Sequence, residues 1–494
     1  MHRLQLHPKV SVSVVFVASL FMSIMDTTIV NVALPALGRE FRVPSTSLDA
    51  VVVGYLISLA AIIPASGWLG DRWGTKRMFL FALALFSVAS ALCGLAPNFP
   101  LLVGFRVLQG IGGGALTPIG TAILYRTFPP AQRIQVSRIL IFPTVVAPAV
   151  GPVLGGLLVD QLSWRWVFFV NVPIGIATLL FGLIFLQEHR EPAAGRFDLA
   201  GFLLAGIGLA LVTYALSEGS SAGWTSTSVL TSALVGLLVL VVFTVVELRT
   251  REPMIDLQLF GNRLFRSANL VTMFSSAGFL GILFAAPLFL QEARGVSALT
   301  SGLTTFPEAL GVVLSTQLVA RLYPSIGPRR LMTAGLSGVA IVMSLLSLIG
   351  SDTSLWLMRV LMFLIGAGMA YAMQPAQVAA FATISSASTG RASALNNAQR
   401  QVGAALGVAV LSSVISAMGA TRLSATGAMV PNLAAYHVAF FAAAALELIA
   451  VGWALTIHDS DAAVTLRRSA KQAKEEGGAR AQRHGEQATG EHVS

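Results

Sequence analysis

Charge and cysteine are both scarce in this sequence. Only 11% of the 494 residues are charged, 55% are hydrophobic, and Cys93 is the one cysteine. Water-soluble domains carry about 25% charged residues, so this composition excludes a soluble globular protein of this length. A single cysteine cannot form an intramolecular disulfide, and within an apolar stretch it is typical of a small packing residue.

Motifs for nucleotides and metals are missing as well. The sequence has no Gly-x-x-x-x-Gly-Lys-[Ser/Thr] loop, and its seven histidines do not cluster at the spacing of metal ligands. No catalytic constellation stands out, so an enzyme or a receptor is the least favoured function. We therefore expect no cofactor, and energy for active work would come from an ion gradient or a partner.

Long apolar stretches, by contrast, recur about fourteen times along the chain. A membrane helix needs roughly 20 apolar residues, and its backbone polar groups are satisfied within the helix. The spans are predicted at residues 14–35, 48–70, 78–95, 100–124, 134–159, 167–188, 198–217, 226–248, 268–290, 301–322, 329–350, 355–378, 394–418 and 435–457. The sequence therefore predicts an all-α, multi-pass membrane protein.

Basic residues are divided unequally between the two sides of this predicted bundle. The net charge of +10 alone would suggest a nucleic-acid partner. However, 24 of the 32 Lys and Arg residues fall at the termini or in the loops on their side, and five fall in the opposite loops. The positive-inside rule then predicts both termini in the cytoplasm. The charge reflects topology and some attraction to anionic lipids, and no nucleic-acid partner is expected.

The two ends of the chain are predicted to lie outside the membrane. Residues 1–13 are a short cytoplasmic segment before an uncleaved first helix, because the apolar run is too long for a signal peptide. Residues 458–494 are polar and are predicted to form a disordered cytoplasmic tail.

A weak internal repeat runs through the chain. The loop after the second span contains Gly74-Thr-Lys-Arg, and the loop after the tenth contains Gly327-Pro-Arg-Arg. Arg106-Val-Leu in the fourth span is echoed by Arg359-Val-Leu in the twelfth. Many secondary transporters are built from such repeats, with a substrate site near the membrane midplane.

These echoes predict three parts of the membrane domain. Residues 14–188 form an N-terminal six-helix bundle and residues 268–457 a C-terminal six-helix bundle. Residues 198–248 form two additional helices between them. The role of these two helices does not follow from the sequence.

An acidic residue, Asp26, lies in the middle of the first span. A carboxylate there costs about 2.5–3.5 kcal/mol on insertion scales, so it needs a partner or a function. The helical repeat puts Asp26, Val30 and Ala33 on one face, with Thr27 and Asn31 beside them. Asp26 could exchange a proton, pair with a cationic substrate, or serve as a structural acid bonded to a neighbouring helix.

The loop between the second and third spans combines acid, base and glycine. Asp71 and Arg72 lie at the end of the second span, and Gly74 and Arg77 follow. Asp71 could accept bonds from a helix N-terminus or pair with an arginine, and such a pair could latch one conformation. We expect these four residues to act in gating, although plain positive-inside charge is the alternative.

The fourth span contains Arg106 followed by Gln109 and a run of glycines. A guanidinium does not lose its proton in proteins, so Arg106 must find partners within the bundle. Asp26 is the obvious candidate, because a proton would compete with the arginine for the carboxylate and so couple the two. The alternative is an arginine satisfied by backbone carbonyls.

The fifth span is rich in glycine and proline. Gly151-Pro152-x-x-Gly155-Gly156 follows Pro148 within one apolar stretch. These residues bend a helix and present a flat surface on which a neighbouring helix could rock. An ordinary kinked packing helix is the alternative.

Acidic residues of the second half are weaker candidates. Glu308 follows Pro307 inside the tenth span. It could bind a proton or a cationic compound, or lie near the outer surface in water. Glu447 lies in the middle of the fourteenth span, where packing is the favoured interpretation.

Several neutral or basic side chains are candidates to line a cavity between the halves. Asn397 and Arg400 belong to an unusually polar start of the thirteenth span, and Gln374 lies near the end of the twelfth. They are expected at the cavity or at a cytoplasmic gate. Tyr55 is one of several aromatic residues that could contact an apolar ligand, although core packing is the simpler interpretation.

The four stretches around Asp26, Asp71, Arg106 and Gly151, together with residues 164–173, resemble the major facilitator superfamily. Residues 67–77 resemble its signature between helices 2 and 3, 106–114 its fourth-helix signature, and 151–156 the fifth-helix signature of its exporters. Residues 26–35 and 164–173 resemble its fourteen-helix drug:proton antiporter branch. The second half matches mainly in its pattern of helices.

Two positions depart from these signatures without changing the class. Thr75 stands where a basic residue is usual, and Ala147 stands where the fifth-helix signature often has glycine. The resemblance implies the major facilitator fold, with two six-helix bundles and two inserted helices.

The resemblance also implies roles for individual residues. Asp26 and Arg106 are the coupling residues it implies, and Asp71 is a gating residue. Glu308 is added as a second acid for protons or substrate. The polar positions Asn31, Gln109 and Asn171 join the cavity candidates.

The expected protein is a secondary active exporter of the bacterial cytoplasmic (inner) membrane. It would exchange protons for amphipathic, often cationic, compounds by alternating access, as a monomer among membrane lipids. One alternative keeps the fold and makes the protein a proton symporter for a small nutrient, against which the fifth-helix signature argues. The other is a lipid or lysolipid translocator.

Overall fold

The computed structural model describes most of the chain. The described residues are 7–43, 45–129, 132, 143, 146–148, 150, 151, 153–159, 161–191, 197–219, 222–250, 253, 255–385, 388–419, 421–423 and 429–462. Most of the predicted tail, Pro152 and most of residues 134–145 therefore lie outside the described residues.

Helices account for nearly all of this structure. The first seven are α1 (Pro8–Phe41), α2 (Ser45–Trp73), α3 (Thr75–Gly94), α4 (Phe99–Thr127), α5 (Val146–Val159), α6 (Trp166–Phe169) and α7 (Asn171–Phe185). Two follow as α8 (Leu199–Glu218) and α9 (Thr227–Arg249). The rest are α10 (Arg263–Leu288), α11 (Ala298–Thr305), α12 (Pro307–Ile326), α13 (Pro328–Leu346), α14 (Leu355–Phe381), α15 (Thr389–Met418) and α16 (Leu433–Leu455).

Among the described residues, thirteen helical stretches are long and apolar enough to cross a membrane. A further apolar helix, α5, is shorter. The prediction of an all-α membrane protein is confirmed. A π-helical turn, Phe289–Ala293, extends α10, and a short antiparallel hairpin of β1 (Thr421–Leu423) and β2 (Met429–Pro431) lies between α15 and α16.

The first helix is longer than its predicted span of 14–35. It begins at Pro8, where the fixed φ of proline suits the first turn, and the side chain of His7 accepts a bond from the backbone N–H of Lys9. It ends at Phe41, and Arg42 adopts the left-handed conformation that closes many helices. Hydropathy detects only the apolar middle of such a helix, because polar end turns carry no membrane signal.

The helices alternate in direction, so their ends form two faces. We call the end where α1 begins and α2 ends the near end, and the opposite end the far end. Helices α1 to α7 pack mainly on one another, as do α10 to α16. Helices α8 and α9 form a hairpin that packs on α2 and, less extensively, on α15.

The α8–α9 hairpin contacts both groups of helices. A Cβ at Gly206 of α8 would lie 3.1 Å from the carbonyl oxygen of Ala61 in α2. In the turn after α8, Trp224 donates its indole N–H to Ser413 of α15 at 2.5 Å. Helix α9 leaves most of its leucine and valine side chains exposed, as expected for a surface that faces lipid.

The internal repeat is visible in how two helices are capped at the near end. Gly74, with φ of 105°, precedes α3, and the carboxylate of Glu188 accepts the backbone N–H of Lys76 at 3.0 Å. Gly327, with φ of 85°, precedes α13, and Asp459 accepts the N–H of Arg329 at 2.9 Å. In each half, an acid beyond the last helix holds the start of the third.

The predicted echo between Arg106 and Arg359 is not a structural equivalence. A Cβ at Gly110 of α4 would collide with the carbonyl oxygen of Tyr55, and a Cβ at Gly366 of α14 would collide with that of Glu308. These crossings match, but Gly110 follows Arg106 by four residues whereas Gly366 follows Arg359 by seven. Arg359 therefore lies about one turn nearer the far end.

Candidate coupling site and near-end gate

The carboxylate of Asp26 is completely buried among three helices. Arg106 of α4 donates to Oδ2 at 2.5 Å, and Gln109, one turn further, donates to Oδ1 at 2.9 Å. Asn171, the first residue of α7, donates its amide to Oδ1 at 2.9 Å. The predicted pairing of Asp26 with Arg106 is present in the structure.

The guanidinium of Arg106 is held by groups other than Asp26 as well. Its Nε donates to the carbonyl oxygen of Val51 at 3.1 Å, and its Nη1 also reaches Oε1 of Gln109 at 2.8 Å. The ring of Tyr55 lies 4.2 Å from the guanidinium carbon, close enough for a cation–π contact. Arg106 thus links α1, α2 and α4.

Asn171 connects this cluster to the third helix. Its amide also reaches the hydroxyl of Ser90 at 3.1 Å, and Ser90 donates to the carbonyl oxygen of Phe168 at 2.9 Å. Tyr55 in turn lies 3.4 Å from the hydroxyl of Ser23. We call Asp26, Tyr55, Arg106, Gln109 and Asn171 the coupling cluster.

The coupling cluster lies inside the first group of helices. Each of its five side chains is at most 1% exposed, so an isolated charge there would be very costly without its counter-charge. Because each oxygen of the carboxylate accepts from a donor, a proton on Asp26 would set donor against donor at one oxygen and remove the negative charge that pairs with Arg106. The geometry can therefore convert protonation into a change of helix contacts.

Asn31 does not belong to this cluster, so its predicted place beside Asp26 is wrong. Five residues beyond Asp26, its side chain is exposed and points away from the carboxylate. A step of 100° per residue puts Asn31 about 140° around α1 from Asp26. Asp26 and Asn31 therefore face different surroundings.

A second site joins the two groups of helices at the near end. A Cβ at Gly67 of α2 would lie 2.7 Å from the carbonyl oxygen of Gly390 in α15, so the backbones touch. One turn further, Asp71 lies against Gly390, whose Cβ would be 2.6 and 2.8 Å from the two carboxylate oxygens. The acid thus sits at the positive start of α15.

An arginine completes this contact. Arg126, near the end of α4, donates to Oδ1 of Asp71 at 2.7 Å, and both side chains are at least 92% buried. Sequence reasoning expected Asp71 to meet an arginine or a helix start, and the structure places both beside it. It did not single out Arg126, whose place in a basic stretch gave no signal beyond topology.

Further contacts close the same end of the molecule. Ser393 of α15 donates to the carbonyl oxygen of Pro118 in α4 at 2.8 Å. The rings of Tyr125 and Phe381 stack with centroids 4.2 Å apart. We call the contacts of Gly67 and Asp71 with α15, together with the pair of Asp71 and Arg126, the near-end gate, and the structure shows it closed.

The other loop residues stand apart from the gate contacts. Arg72 and Arg77 are exposed, and Arg77 reaches Glu188 only at 3.6 Å. Gly74 supplies the positive φ and the space that the Glu188 cap requires. The structure thus gives Gly74 and Arg77 contacts in the α3 cap and brings neither to Asp71.

The described glycines of α5 pack against the first helix. A Cβ at Gly151 would collide with the hydroxyl of Thr28, and one at Gly155 would lie 2.9 Å from Ile29. Gly156 has no atom of another element within 4 Å of its Cβ position among the described residues. Pro152 lies outside the described residues. The predicted close approach therefore occurs at Gly151 and Gly155.

The two acidic residues of the second half that were candidate site residues, Glu308 and Glu447, have few hydrogen-bond partners among the described residues. Glu447 is fully buried, and neither of its carboxylate oxygens has a hydrogen-bond partner among the described residues. It packs on Gly278 of α10, whose Cβ would lie 2.9 Å from its Cγ. Glu308 is 6% exposed, and its Oε1 likewise has no partner within that part of the chain.

The polar candidates of the last helices are divided. Gln374 is fully buried in α14. Asn397 donates to the carbonyl oxygen of Ser393 at 2.9 Å, and Arg400 donates to Oδ1 of Asn397 at 3.2 Å. These two lie on the face of α15 that meets α4 at the gate.

Known proteins resemble this chain in sequence over most of its length. The family model of the Major Facilitator Superfamily matches residues 16–408. A Mycobacterium tuberculosis protein called multidrug resistance protein B homolog is 32% identical over 80% of this chain and 74% of its own. The M. tuberculosis multidrug resistance protein Stp is 35% identical over 85% of this chain and 78% of its own.

One more relative and one solved structure also resemble this chain. A putative multidrug resistance protein MdtD of Pectobacterium carotovorum is 32% identical over 70% of this chain and 74% of its own. The crystal structure of the human organic anion transporter MFSD10 (TETRAN) superposes with a TM-score of 0.65, covering 90% of this chain and 99% of that one. At 17% identity this likeness shows the fold alone, and it confirms the predicted fold.

Proposed function

The chain belongs to the major facilitator superfamily, and on this premise we propose that it exports amphipathic compounds from the bacterial cytoplasm in exchange for protons. Its relatives named multidrug resistance proteins support this direction and this class of substrate. Among proteins of this fold, the coupling cluster is the observation that carries the proposal. A buried acid bound to a permanently charged arginine is a device for proton coupling.

In the proposed mechanism, residues 14–188 and 268–457 rock as two bodies about a central cavity. A proton that reaches Asp26 releases Arg106, and the helices linked by Arg106 then change their packing. The closed near-end gate corresponds to a state whose substrate path leads to the far end. Asp71 and the start of α15 separate when the near end opens, while the pair of Asp71 with Arg126 stays within the first body.

We place the near end in the cytoplasm. The loops at that end carry most of the Lys and Arg residues, which supports this orientation. Glu308 is proposed to receive the cationic group of a substrate or a second proton, because it is buried at membrane depth without a basic partner in the described structure. Since gate, cluster and cavity arise within one chain, a monomer suffices.

Dye uptake into everted membrane vesicles tests this proposal. Ethidium should accumulate in vesicles containing the protein when a proton gradient is imposed, and uptake should stop when the gradient is collapsed. Asp26→Asn should abolish gradient-driven uptake while inserting normally, and Asp26→Glu should retain part of it. Glu447→Gln, which alters another fully buried acid, serves as the matched control.

The outcomes separate the candidate functions. Unchanged coupled uptake by Asp26→Asn would remove Asp26 from the mechanism. Proton uptake from the medium together with substrate added at the extracellular side would indicate a nutrient importer. Headgroup transport in liposomes without dye uptake would indicate a lipid translocator.

A further inference from the structure

A ladder of hydrogen bonds runs along α15 from the gate toward the membrane interior. Ser393 donates to the carbonyl oxygen of Pro118 in α4, so this face of α15 looks toward the first group of helices. Asn397, one turn further, donates to the carbonyl of Ser393, and Arg400 donates to Asn397. Arg400 thus continues the face of α15 that lies opposite α4.

Depth along the helix places Arg400 well inside the membrane region. It is eleven residues beyond Thr389, the first residue of α15. At a rise of 1.5 Å per residue, that is about 16 Å from the near-end gate. A permanent charge at this depth is costly unless it meets a partner, and such residues commonly line the path of a substrate.

Arg400 has little compensation within the protein. Arg106 is paired with Asp26, and Arg126 is paired with Asp71. Among the described residues, Arg400 makes one hydrogen bond, to the neutral amide of Asn397, and takes part in no ion pair. It is partly exposed, and none of its nitrogens is a buried atom without a partner. Its remaining donors therefore reach accessible space.

The buried acids of the membrane region do not neutralise it. Asp26 is enclosed with Arg106 in the coupling cluster, and Glu447 packs against Gly278 of α10. Glu308 lies on α12, with its backbone against Gly366 of α14. The face of α15 that looks toward α4 therefore presents a guanidinium that no acid of the described residues neutralises.

We propose that Arg400 binds an anionic group of the substrate, so that the exporter takes amphipathic compounds bearing a carboxylate. A planar guanidinium offers two parallel N–H donors that match a carboxylate, which makes this pairing strong and directional. The inference rests on the proposed function, and it refines the expected preference for cations.

A pair of dyes that differ in one group tests the assignment directly. Rhodamine 110 carries a free carboxylate, and rhodamine 123 is its methyl ester, whereas both carry the same cationic ring system. Binding of each to the purified full-length protein in nanodiscs is measured by fluorescence anisotropy, without a gradient. Arg400→Gln should weaken rhodamine 110 binding roughly ten- to hundredfold and leave rhodamine 123 within about twofold.

Arg400→Lys and the ester control keep the result interpretable. Lysine keeps the charge but loses the planar fork, so binding of rhodamine 110 should lie between wild type and Arg400→Gln. Retained rhodamine 123 binding shows that the variants fold. Equal losses for both dyes, unchanged rhodamine 110 binding in Arg400→Gln, or no rhodamine 110 binding to the wild type would overturn the assignment. Absence of gradient-driven dye uptake into vesicles that contain the wild-type protein would instead count against the proposed function.

Discussion

The backbone contact at the near-end gate leads to a specific prediction for Gly67→Ala. The added methyl group would lie 2.7 Å from the carbonyl oxygen of Gly390 and 2.9 Å from its carbonyl carbon. These are backbone atoms of α15, so they cannot turn aside as a flexible side chain would. We expect the substitution to hold α2 and α15 apart and to disfavour the closed near end.

Forcing a methyl group into a packed contact costs about 1–3 kcal/mol. Because about 1.4 kcal/mol changes an equilibrium tenfold, the ratio of closed to open near ends should fall roughly 5- to 150-fold. The matched control is Gly70→Ala, three residues along the same helix. Its Cβ would lie 3.5 Å from Ile119, an ordinary contact distance.

Distances between spin labels report this equilibrium. Arg77→Cys and Arg330→Cys place labels on exposed positions at the starts of α3 and α13, one in each half. Electron–electron double resonance should show a longer-distance population growing in Gly67→Ala and unchanged in Gly70→Ala. Ethidium uptake should slow in parallel with that growth.

A Gly67→Ala protein with wild-type distances and wild-type transport would refute this reasoning. Such a result would mean that the gate closes without backbone contact between α2 and α15. Equal effects of both alanine substitutions would point instead to general destabilisation of α2.

Three further predictions concern stability and are measured by thermal unfolding in detergent. Arg106→Met should destabilise the protein by about 3–5 kcal/mol, because it leaves the charge of Asp26 buried and unpaired. The double variant that also carries Asp26→Asn should lose less stability than Arg106→Met alone. Equal unfolding temperatures for the single and double variants would contradict the pairing. Glu188→Ala and Asp459→Ala, which remove matching helix caps, should each cost about 1 kcal/mol, and a loss confined to one of them would argue against the repeated cap. Glu447→Gln should unfold at or above the wild-type temperature, because no described residue pairs with this buried carboxylate, whereas a clear drop would reveal a partner for it.

Sequence patterns predicted the class of fold and the principal buried pair well. Spans are visible because an apolar environment demands long apolar helices, and a lone acid and a lone arginine in separate spans have few partners available besides each other. The pairing of Asp26 with Arg106 follows from that scarcity. Gln109 and Asn171 were predicted only as cavity residues. Hydropathy does not show at which depth helices cross, so it could not show that both side chains reach Asp26.

Other features of the site depend on how the helices pack, which cannot be deduced from a single sequence. Arg126 is indistinguishable from any basic loop residue until α4 is placed beside α2. Asn31 was predicted beside Asp26, but a step of 100° per residue separates the two by about 140°, and Asn31 lies on an exposed part of α1. The Arg106-Val-Leu and Arg359-Val-Leu sequences match, but the two arginines are not equivalent in the structure. The glycines at the matching helix crossings, Gly110 and Gly366, show that the arginines differ in depth by about one turn.

The caps formed by Glu188 and Asp459 were also missed. Their signal is an acid shortly after the last helix of each half, together with a glycine before the third helix. The glycines were noticed in the repeat, but acids in polar loops are common. Only the spatial return of the chain shows that they bind the start of another helix.

The α8–α9 hairpin has a consequence for how hydrophobic compounds reach the protein. It lies over α2 and α15, which meet across the boundary between the two groups of helices, and it is tied to α15 through Trp224 and Ser413. A compound dissolved in the bilayer and diffusing sideways therefore meets the exposed leucines and valines of α9 before it meets that boundary. On this flank the two inserted helices separate the lipid from the boundary between α2 and α15, so we expect a compound that enters from the bilayer to do so elsewhere on the perimeter.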